Sequence, residues 1–373
     1  MDELEKIEAD DRVYSLNLGP QHPSTHGVLR ILLDLDGEYI VKCDPVIGYG
    51  HRGHEKMGEN RQYKQFLPNT SRMDYLSGLL YNHGFVLAVE KLAGIKVPER
   101  AKYIRVIASE LNRISSHLLW FGTYLLDIGG ITPFLYAFDD REHILDTLDT
   151  ITGSRLTYSY CRFGGVTRDI DSKFIDMTRA FLKRMESRWA DYEALVSKNV
   201  IFIHRTRDVG VIDVNLARQY GVTGPNLRAC GVAFDVRRSE PYEVYDRFDF
   251  EIPTGTRGDA LDRYDVRFRE MQQSCRIIEQ ALEQLPEGEF LTPKVPQKLS
   301  PPKGEVYTAF ESARGLTAYY LVSDGSPAPY RCHIRVPSFG NLNVLNDVLP
   351  GTMVADAIAI LGSIDVVIPE IDR

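Results

Sequence analysis

Cysteine is scarce and dispersed in this chain. Cys43, Cys161, Cys230, Cys275 and Cys332 stand at least 45 residues apart, so no C-x-x-C unit exists for zinc, an iron-sulfur cluster or a redox disulfide. Any cluster the protein works with belongs to a partner. The odd count, the wide spacing and the lack of a secretory leader fit a reducing compartment. An excess of positive charge is missing too: 44 Lys and Arg against 52 Asp and Glu leave a net charge of -8, no footprint for nucleic acid or anionic lipid. Nor is there a clean membrane span. The most apolar window, His117 to Phe138, contains Asp127, Gly129, Gly130 and Pro133, and reads as a buried helix end and loop. Repeats, low-complexity stretches, long linkers and nucleotide-binding motifs are absent. What remains is 373 residues with 43% hydrophobic content, enough for a full core in one large or two interlocked domains.

Alternation predicts strands at Val13 to Asn17, Val28 to Leu35 and Tyr39 to Cys43, with an Asp36-Gly37 hairpin turn. Gly19 to Gly27 is then a loop between two strands. From Asn69 the period becomes helical: residues 70–93 end before Gly94, and a long helix starts near Pro98 and runs to about Asp127, ahead of Gly129-Gly130. Further helices are predicted at 139–153, 171–198 and 259–285, the last carrying Met271, Cys275, Ile278 and Leu282 at helical spacing. Residues 305–336 return to strand character around Asp324-Gly325-Ser326-Pro327, and a helix over 341–362 precedes the tail. The expected class is α+β, with a β-rich segment (1–68), a central helical bundle (69–300), and a C-terminal hairpin, helix and tail (301–373) packed on it.

Three residues stand out chemically. His26 lies in the Gly/Pro/Ser/Thr-rich loop, where a side chain is presented to a cavity without competing for a helix or strand face. Tyr75 falls in the first turn of the helix expected from Thr70 or Ser71, where a phenol hydrogen-bonds a carbonyl and the dipole favours loss of its proton; it is equally an ordinary half-buried tyrosine. Asp127 follows Tyr124-Leu125-Leu126 at a helix exit, where apolar neighbours and the dipole would raise its carboxyl; a solvated aspartate is the plainer alternative. His22, His26, His51 and His54 lie in no helical or finger context that suits a metal.

The C-terminus, Ser363-Ile364-Asp365-Val366-Val367-Ile368-Pro369-Glu370-Ile371-Asp372-Arg373, resembles the end of nickel-iron hydrogenase large subunits, S-I-D-P-C-x-x-C-T-D-R. Val367 and Glu370 stand where two thiolates would be, and an aliphatic side chain offers nickel no lone pair. The second cysteine pair, R-x-C-G-x-C in hydrogenases, is replaced by Ser71-Arg72-Met73-Asp74-Tyr75-Leu76-Ser77. With both pairs gone, the frame resembles the 49-kDa (D-subunit) family of respiratory complex I, the proton-pumping NADH:quinone oxidoreductase. Leu18-Gly19-Pro20-Gln21-His22-Pro23-Ser24-Thr25-His26-Gly27-Val28-Leu29-Arg30 is similar to the family's G-P-Q-H-P-x-x-H-G-V-L-R. Gly48-Tyr49-Gly50-His51-Arg52-Gly53-His54-Glu55-Lys56, Arg72-Met73-Asp74-Tyr75 and Arg162-Phe163-Gly164-Gly165-Val166 follow in order, so the likeness runs from Val13 to Arg373.

The resemblance implies a hydrogenase-like fold and a quinone headgroup held by His26 and Tyr75, with Asp127 reprotonating His26. It places Arg52 and Arg72 beside a 4Fe-4S cluster in the partner B subunit, where a cation raises the potential. Asp74, Asp365, Glu370 and Arg373 become a polar lining, either holding Arg52 or Arg72, carrying protons, or serving as structural ion pairs. NADH and FMN belong to other subunits; the B and C subunits of the peripheral arm and the H subunit of the membrane arm are the implied partners, on the cytoplasmic side of a bacterial membrane. Two rivals stay open: the same role fed by ferredoxin or a deazaflavin carrier, and a non-catalytic assembly scaffold.

The sequence departs from many relatives at Gly153-Ser154-Arg155-Leu156-Thr157, where they carry G-x-R-x-H. Thr157 cannot titrate, so the partner's terminal cluster is expected to show a lower and less pH-dependent midpoint potential, suited to a low-potential quinone such as menaquinone. A redox titration of the complex checks this; a slope of about 60 mV per pH unit for a one-electron couple would contradict it.

Overall fold

The computed structural model describes residues 13–20, 27–296 and 298–373. Strands β1 (Val13–Leu18), β2 (Arg30–Asp36) and β3 (Tyr39–Val46) form an antiparallel sheet in that order, with Leu16 opposite Leu33 and Leu33 opposite Cys43. Alternation puts Ile31, Leu33 and Leu35 of β2 on the buried face, as a period of two requires. That face packs on the other end of the chain: Val348, Ile360, Ile364, Ile368 and Ile371 share one core with it. Two backbone bonds tie β3 to the same segment, Ile40 N–H to Thr352 O at 2.9 Å and Gly351 N–H to Ile40 O at 2.7 Å.

Helices α1 (His54–Asn60) and α2 (Tyr63–Thr70) lead into the bundle of α3 (Gly78–Ala93), α4 (Glu99–Asp127), α5 (Ile131–Thr152), α6 (Ser172–Tyr192) and α7 (Ala260–Glu283). A two-residue hairpin, β4 (Cys161–Arg162) and β5 (Gly165–Val166), joins α5 to α6. Asp171 and Asp259 cap α6 and α7, accepting from Phe174 N–H at 2.8 Å and Asp262 N–H at 2.7 Å. A second antiparallel sheet, β6 (Gly304–Glu311), β7 (Leu316–Ser323) and β8 (Arg331–Arg335), lies against α3, so closely that a Cβ on Gly84 would meet Phe310 Cε1 at 2.1 Å. The tail ends in α8 (Val354–Ile364) and α9 (Ile368–Asp372). No described helix is long and apolar enough to cross a membrane.

The α+β class with a central bundle is borne out, and three boundaries are not. Residues 71–77 are a loop rather than the first turn of α3, because the Asp74 carboxylate takes the N–H groups of Leu76 and Ser77, both at 3.1 Å, and closes the chain on itself. The helix expected over 341–362 is broken into Pro337–Asn343, Leu345–Val348 and α8, with Pro350 and the left-handed Gly351 (φ 84°) in the gap. Helix α5 begins at Ile131, eight residues before its expected start, since Pro133 in a first turn removes no helical bond.

Helix α4 is enclosed on nearly every side yet carries Arg105, Glu110, Arg113 and His117 in its buried length. A buried charge must be matched, and those of Arg105, Glu110 and Arg113 are, while burial lowers His117 toward its neutral form beside Glu270 at 3.4 Å. Arg105 grips Glu90 at 2.6 Å and Glu243 at 2.7 Å; Glu243 also accepts from His83 at 2.9 Å. Arg113 and Arg237 converge on Glu110 at 3.2 and 3.1 Å, while Arg228 holds Glu270 at 2.5 Å and Glu311 at 2.8 Å. Burial raises Glu270 and Glu243, but Arg228 and His117 around the first and Arg105 and His83 around the second bring both down to about 2. Carboxyls depressed in the fold stabilise it above the ordinary carboxylate range and lose that contribution as pH falls through their folded values. Helical circular dichroism is therefore expected to hold down to about pH 4.5 and to be lost progressively between there and about pH 2, a range that acid titration of the purified complex reads directly.

Candidate functional site

Where the bundle core meets the core shared by the two chain ends, loop 71–77 and the tail come together around one arginine. Arg314 occupies the tip of the β6–β7 hairpin and has no exposed surface. Its guanidinium donates to Asp74 Oδ2 at 3.1 Å, Ser77 Oγ at 2.8 Å, Ser116 Oγ at 2.6 Å and Asp365 Oδ1 at 3.2 Å. The second Asp365 oxygen has no hydrogen-bond donor among the described residues and faces Arg267 Nε at 3.8 Å. Gly224 makes the insertion possible: its φ of 70° suits glycine, and a Cβ there would stand 2.3 Å from the Arg314 carbonyl oxygen.

Beside this clamp lies a cavity of about 310 Å³. Tyr75, Asp127 and Asp365 bring polar groups to it, between apolar walls that include Trp120, Leu126, Val366 and Val367. Trp120 is braced from three directions: its Nε1–H donates to Gly362 O at 2.7 Å, Tyr124 stacks on it at 5.2 Å, and the Arg267 guanidinium lies 4.5 Å from its ring. Three clefts are larger: two, of about 630 and 450 Å³, flank residues 291–296, and a third, of about 350 Å³, lies between Leu125, Pro133 and Phe202. None has a carboxylate or histidine in its lining, so convergent polar groups favour the smaller cavity over size alone. A phenol donor in an apolar slot suits a flat, weakly polar ring that presents an acceptor oxygen.

The expected residues are placed as follows. Tyr75 is 37% exposed and sits in the loop, off any helix end. Burial and the neighbouring Asp74 raise its phenol above the ordinary value, with Arg314 opposing. It is a proton-bearing donor, and the expectation of a dipole-favoured phenolate is corrected. Asp127 closes α4 at the cavity, half-buried. His26 lies outside the described residues, as does His22; next in the chain, Gly27 would bring a Cβ to 3.8 Å from Ile368 Cγ1 of α9. Arg52 and Arg72 are exposed and make no ion pair among the described residues. Thr157 is half-buried in the left-handed region (φ 52°), beside Gly78 at the start of α3.

The tail residues do not hold Arg52 or Arg72, which corrects that expectation. Asp365 is taken by Arg314. Glu370, fully buried, accepts from Ser338 N–H at 3.3 Å and Ser338 Oγ–H at 2.8 Å. Arg373 donates to Ile334 O and stands 5.8 Å from the Phe339 ring. Asp372 does the tethering instead: its carboxylate takes the N–H groups of Gly48 and Gly50 at 2.8 and 2.6 Å, and its carbonyl the Nδ1–H of His51 at 2.5 Å. Arg314, Arg267, Ser338 and Tyr81 escape a reading of the sequence, since none lies in a motif block and only the fold brings their separate elements together. Among the described residues, no three His, Cys, Asp or Glu side chains form a group able to hold a metal ion.

Residues 127–300 and 290–373 match the family described as respiratory-chain NADH dehydrogenase, 49 Kd subunit. The chain is 76% identical over 363 residues to the D subunit of NADH-quinone oxidoreductase from Syntrophobacter fumaroxidans, covering 97% of each protein. It is 55% identical over 363 residues to the corresponding D subunit of Desulfotalea psychrophila, covering 97% of this chain and 98% of that one. To the D subunit of Clostridium beijerinckii it is 50% identical over 359 residues, covering 96% and 97%.

Removing Arg314 leaves two buried carboxylates facing each other without their cation. Arg314→Met is expected to destabilise the fold by about 3–5 kcal/mol, and adding Asp74→Asn to recover part of the loss. Thermal unfolding of the two variants against the parent protein measures both effects.

Proposed function

The chain belongs to the family of 49-kDa subunits of respiratory-chain NADH dehydrogenase, as its motif blocks predicted, and from that membership we propose that the cavity beside Arg314 receives the headgroup of a quinone. The observation that carries this reading is the convergence of Tyr75, Asp127 and Asp365 on one apolar slot. The Tyr75 phenol donates a hydrogen bond to a quinone carbonyl, and the clamp of Asp74 and Asp365 on Arg314 sets the field in which that bond forms. His26, between β1 and β2 in the chain, supplies the second hydrogen bond and a proton, and Asp127 restores that proton.

Electrons come from a 4Fe-4S cluster in the partner B subunit. Arg52 and Arg72, two exposed guanidiniums with no partner in this chain among the described residues, face that protein and its cluster. The surroundings are completed by the C subunit of the peripheral arm and the H subunit of the membrane arm. NADH and FMN act elsewhere in the assembly, which lies peripherally on the cytoplasmic side of a bacterial membrane. Within it the chain contributes to a proton-translocating NADH-quinone oxidoreductase.

Three variants test the assignment in membranes: His26→Ala, Tyr75→Phe and Asp127→Asn. Each is expected to lower donor-to-quinone turnover by about 10²-fold or more, the scale of a lost general acid or oriented donor, while donor-to-ferricyanide activity, which bypasses the cavity, is kept. Quinone turnover unchanged in all three would favour the scaffold reading instead.

A further inference from the structure

Glu370 sits on α9 with no exposed surface, and five other elements contribute to the surroundings of its carboxyl. Ser338 donates to it from backbone and hydroxyl. Tyr81 of α3 brings its phenol to it, and Asp74 of loop 71–77 and Arg314 of the hairpin tip act on it electrostatically. Arg335 of β8 is the outermost charge, half-buried and bound to the carbonyls of Leu316 and Gly221. The remaining charges of α9 and its C-terminal neighbour are engaged elsewhere, Asp372 by Gly48 and Gly50 and Arg373 by Ile334.

This enclosure touches the cavity at two points. The Ser338 hydroxyl that donates to Glu370 also accepts the N–H of Val367, a cavity wall residue, at 3.4 Å. Arg314 binds Asp365, which lines the same cavity. Asp74 and Asp365 share the buried guanidinium of Arg314, and Asp365 also faces Arg267. Among the described residues Glu370 has no ion pair of its own, so an ionised Glu370 places a further negative charge beside Asp74 and away from water, with Arg314 and the half-buried Arg335 as the opposing charges. Burial and Asp74 push this carboxyl up to about 7, against Arg314, Ser338 and Tyr81.

We propose that Glu370 is a charge-compensating proton site of the quinone cavity. The first of two electrons passed singly by the partner's one-electron donor reduces the quinone to the semiquinone anion, and the negative charge it brings is balanced by a proton that Glu370 takes from water. The proton returns to water once the second electron has arrived and the quinone, having acquired two protons from the groups it touches, has left as the quinol. Glu370 contacts neither quinone nor donor in this scheme; it acts through the field of the Asp74, Arg314 and Asp365 group, as a positioning residue. The inference rests on the reading of the cavity given above.

The test uses the assembled complex, with donor-to-quinone and donor-to-ferricyanide rates followed across pH. The parent enzyme is expected to show a neutral inflection in quinone reduction, falling by up to about tenfold per unit on its alkaline side. Glu370→Gln, which has the shape of the protonated acid, is expected to keep the parent rate at about pH 6 and to lose the inflection, with ferricyanide reduction unchanged. Ser338→Ala removes a donor that favours the carboxylate and is expected to move the inflection to higher pH. In redox-induced infrared difference spectra, a protonated-carboxyl band should grow on reduction and be missing from Glu370→Gln. An inflection retained in Glu370→Gln overturns the proposal; if that variant does not assemble, an unshifted inflection in Ser338→Ala does so. Tyr75→Phe in the same series separates the two readings. Quinone reduction intact there removes the cavity assignment and this inference with it, whereas quinone reduction lost there beside an unaltered Glu370→Gln profile removes this inference alone.

Discussion

One guanidinium holds the site together. Arg314 joins Asp74 of the loop before α3 to Asp365 after α8, two segments 291 residues apart in the chain, and fixes both relative to Ser77 and to Ser116 of α4. A buried ion pair of this kind contributes little net stability, because desolvation cancels most of the Coulomb gain. Its value is geometric. Tyr75 follows Asp74, and Asp365 itself lines the cavity, so the clamp that satisfies the buried charges also sets the positions of the polar groups facing the slot.

The same economy runs through the bundle. Helix α4 could have been apolar all round, as enclosed helices usually are, yet its buried length carries four ionisable groups, Arg105, Glu110, Arg113 and His117, each with a charged neighbour on another element or on its own helix. Such pairs tolerate few alternative packings, since any shift strands a charge. The bundle is thus rigid on one side of the cavity, while the other side is the tail, whose α8 carbonyls Ser363 O and Ile364 O accept from Arg267 at 2.9 Å each.

The two tail positions that resemble lost metal ligands have taken opposite physical roles. Val367 became an apolar wall of the cavity, and Glu370 a carboxyl sealed behind it. Both are buried, and a single serine hydroxyl lies between the apolar slot and the ionisable interior group.

Much of this was legible in the residues. Strand alternation located β1 to β3, helical spacing and the Gly-Gly pair located α4 with Asp127 at its exit, and the motif blocks identified the family. Local patterning suffices there because each signal lies within one element. Loop 71–77 was misread because the helical period of its neighbours continues through it, and only the side-chain bonds of Asp74 break the helix. What no local pattern encodes is which distant charges meet. Arg314 carries no signal in a stretch expected as strand around Asp324-Gly325-Ser326-Pro327, and only the close approach of Gly224 lets it enter the interior; Glu370 is marked by its place in the tail motif but not by the burial and the Asp74 neighbour that change its proton affinity. The sequence by itself determined the family, the elements and the candidate residues, whereas the pairing of buried charges was decided by tertiary structure, because electrostatic energy depends on separation in space and on exclusion of water rather than on order along the chain.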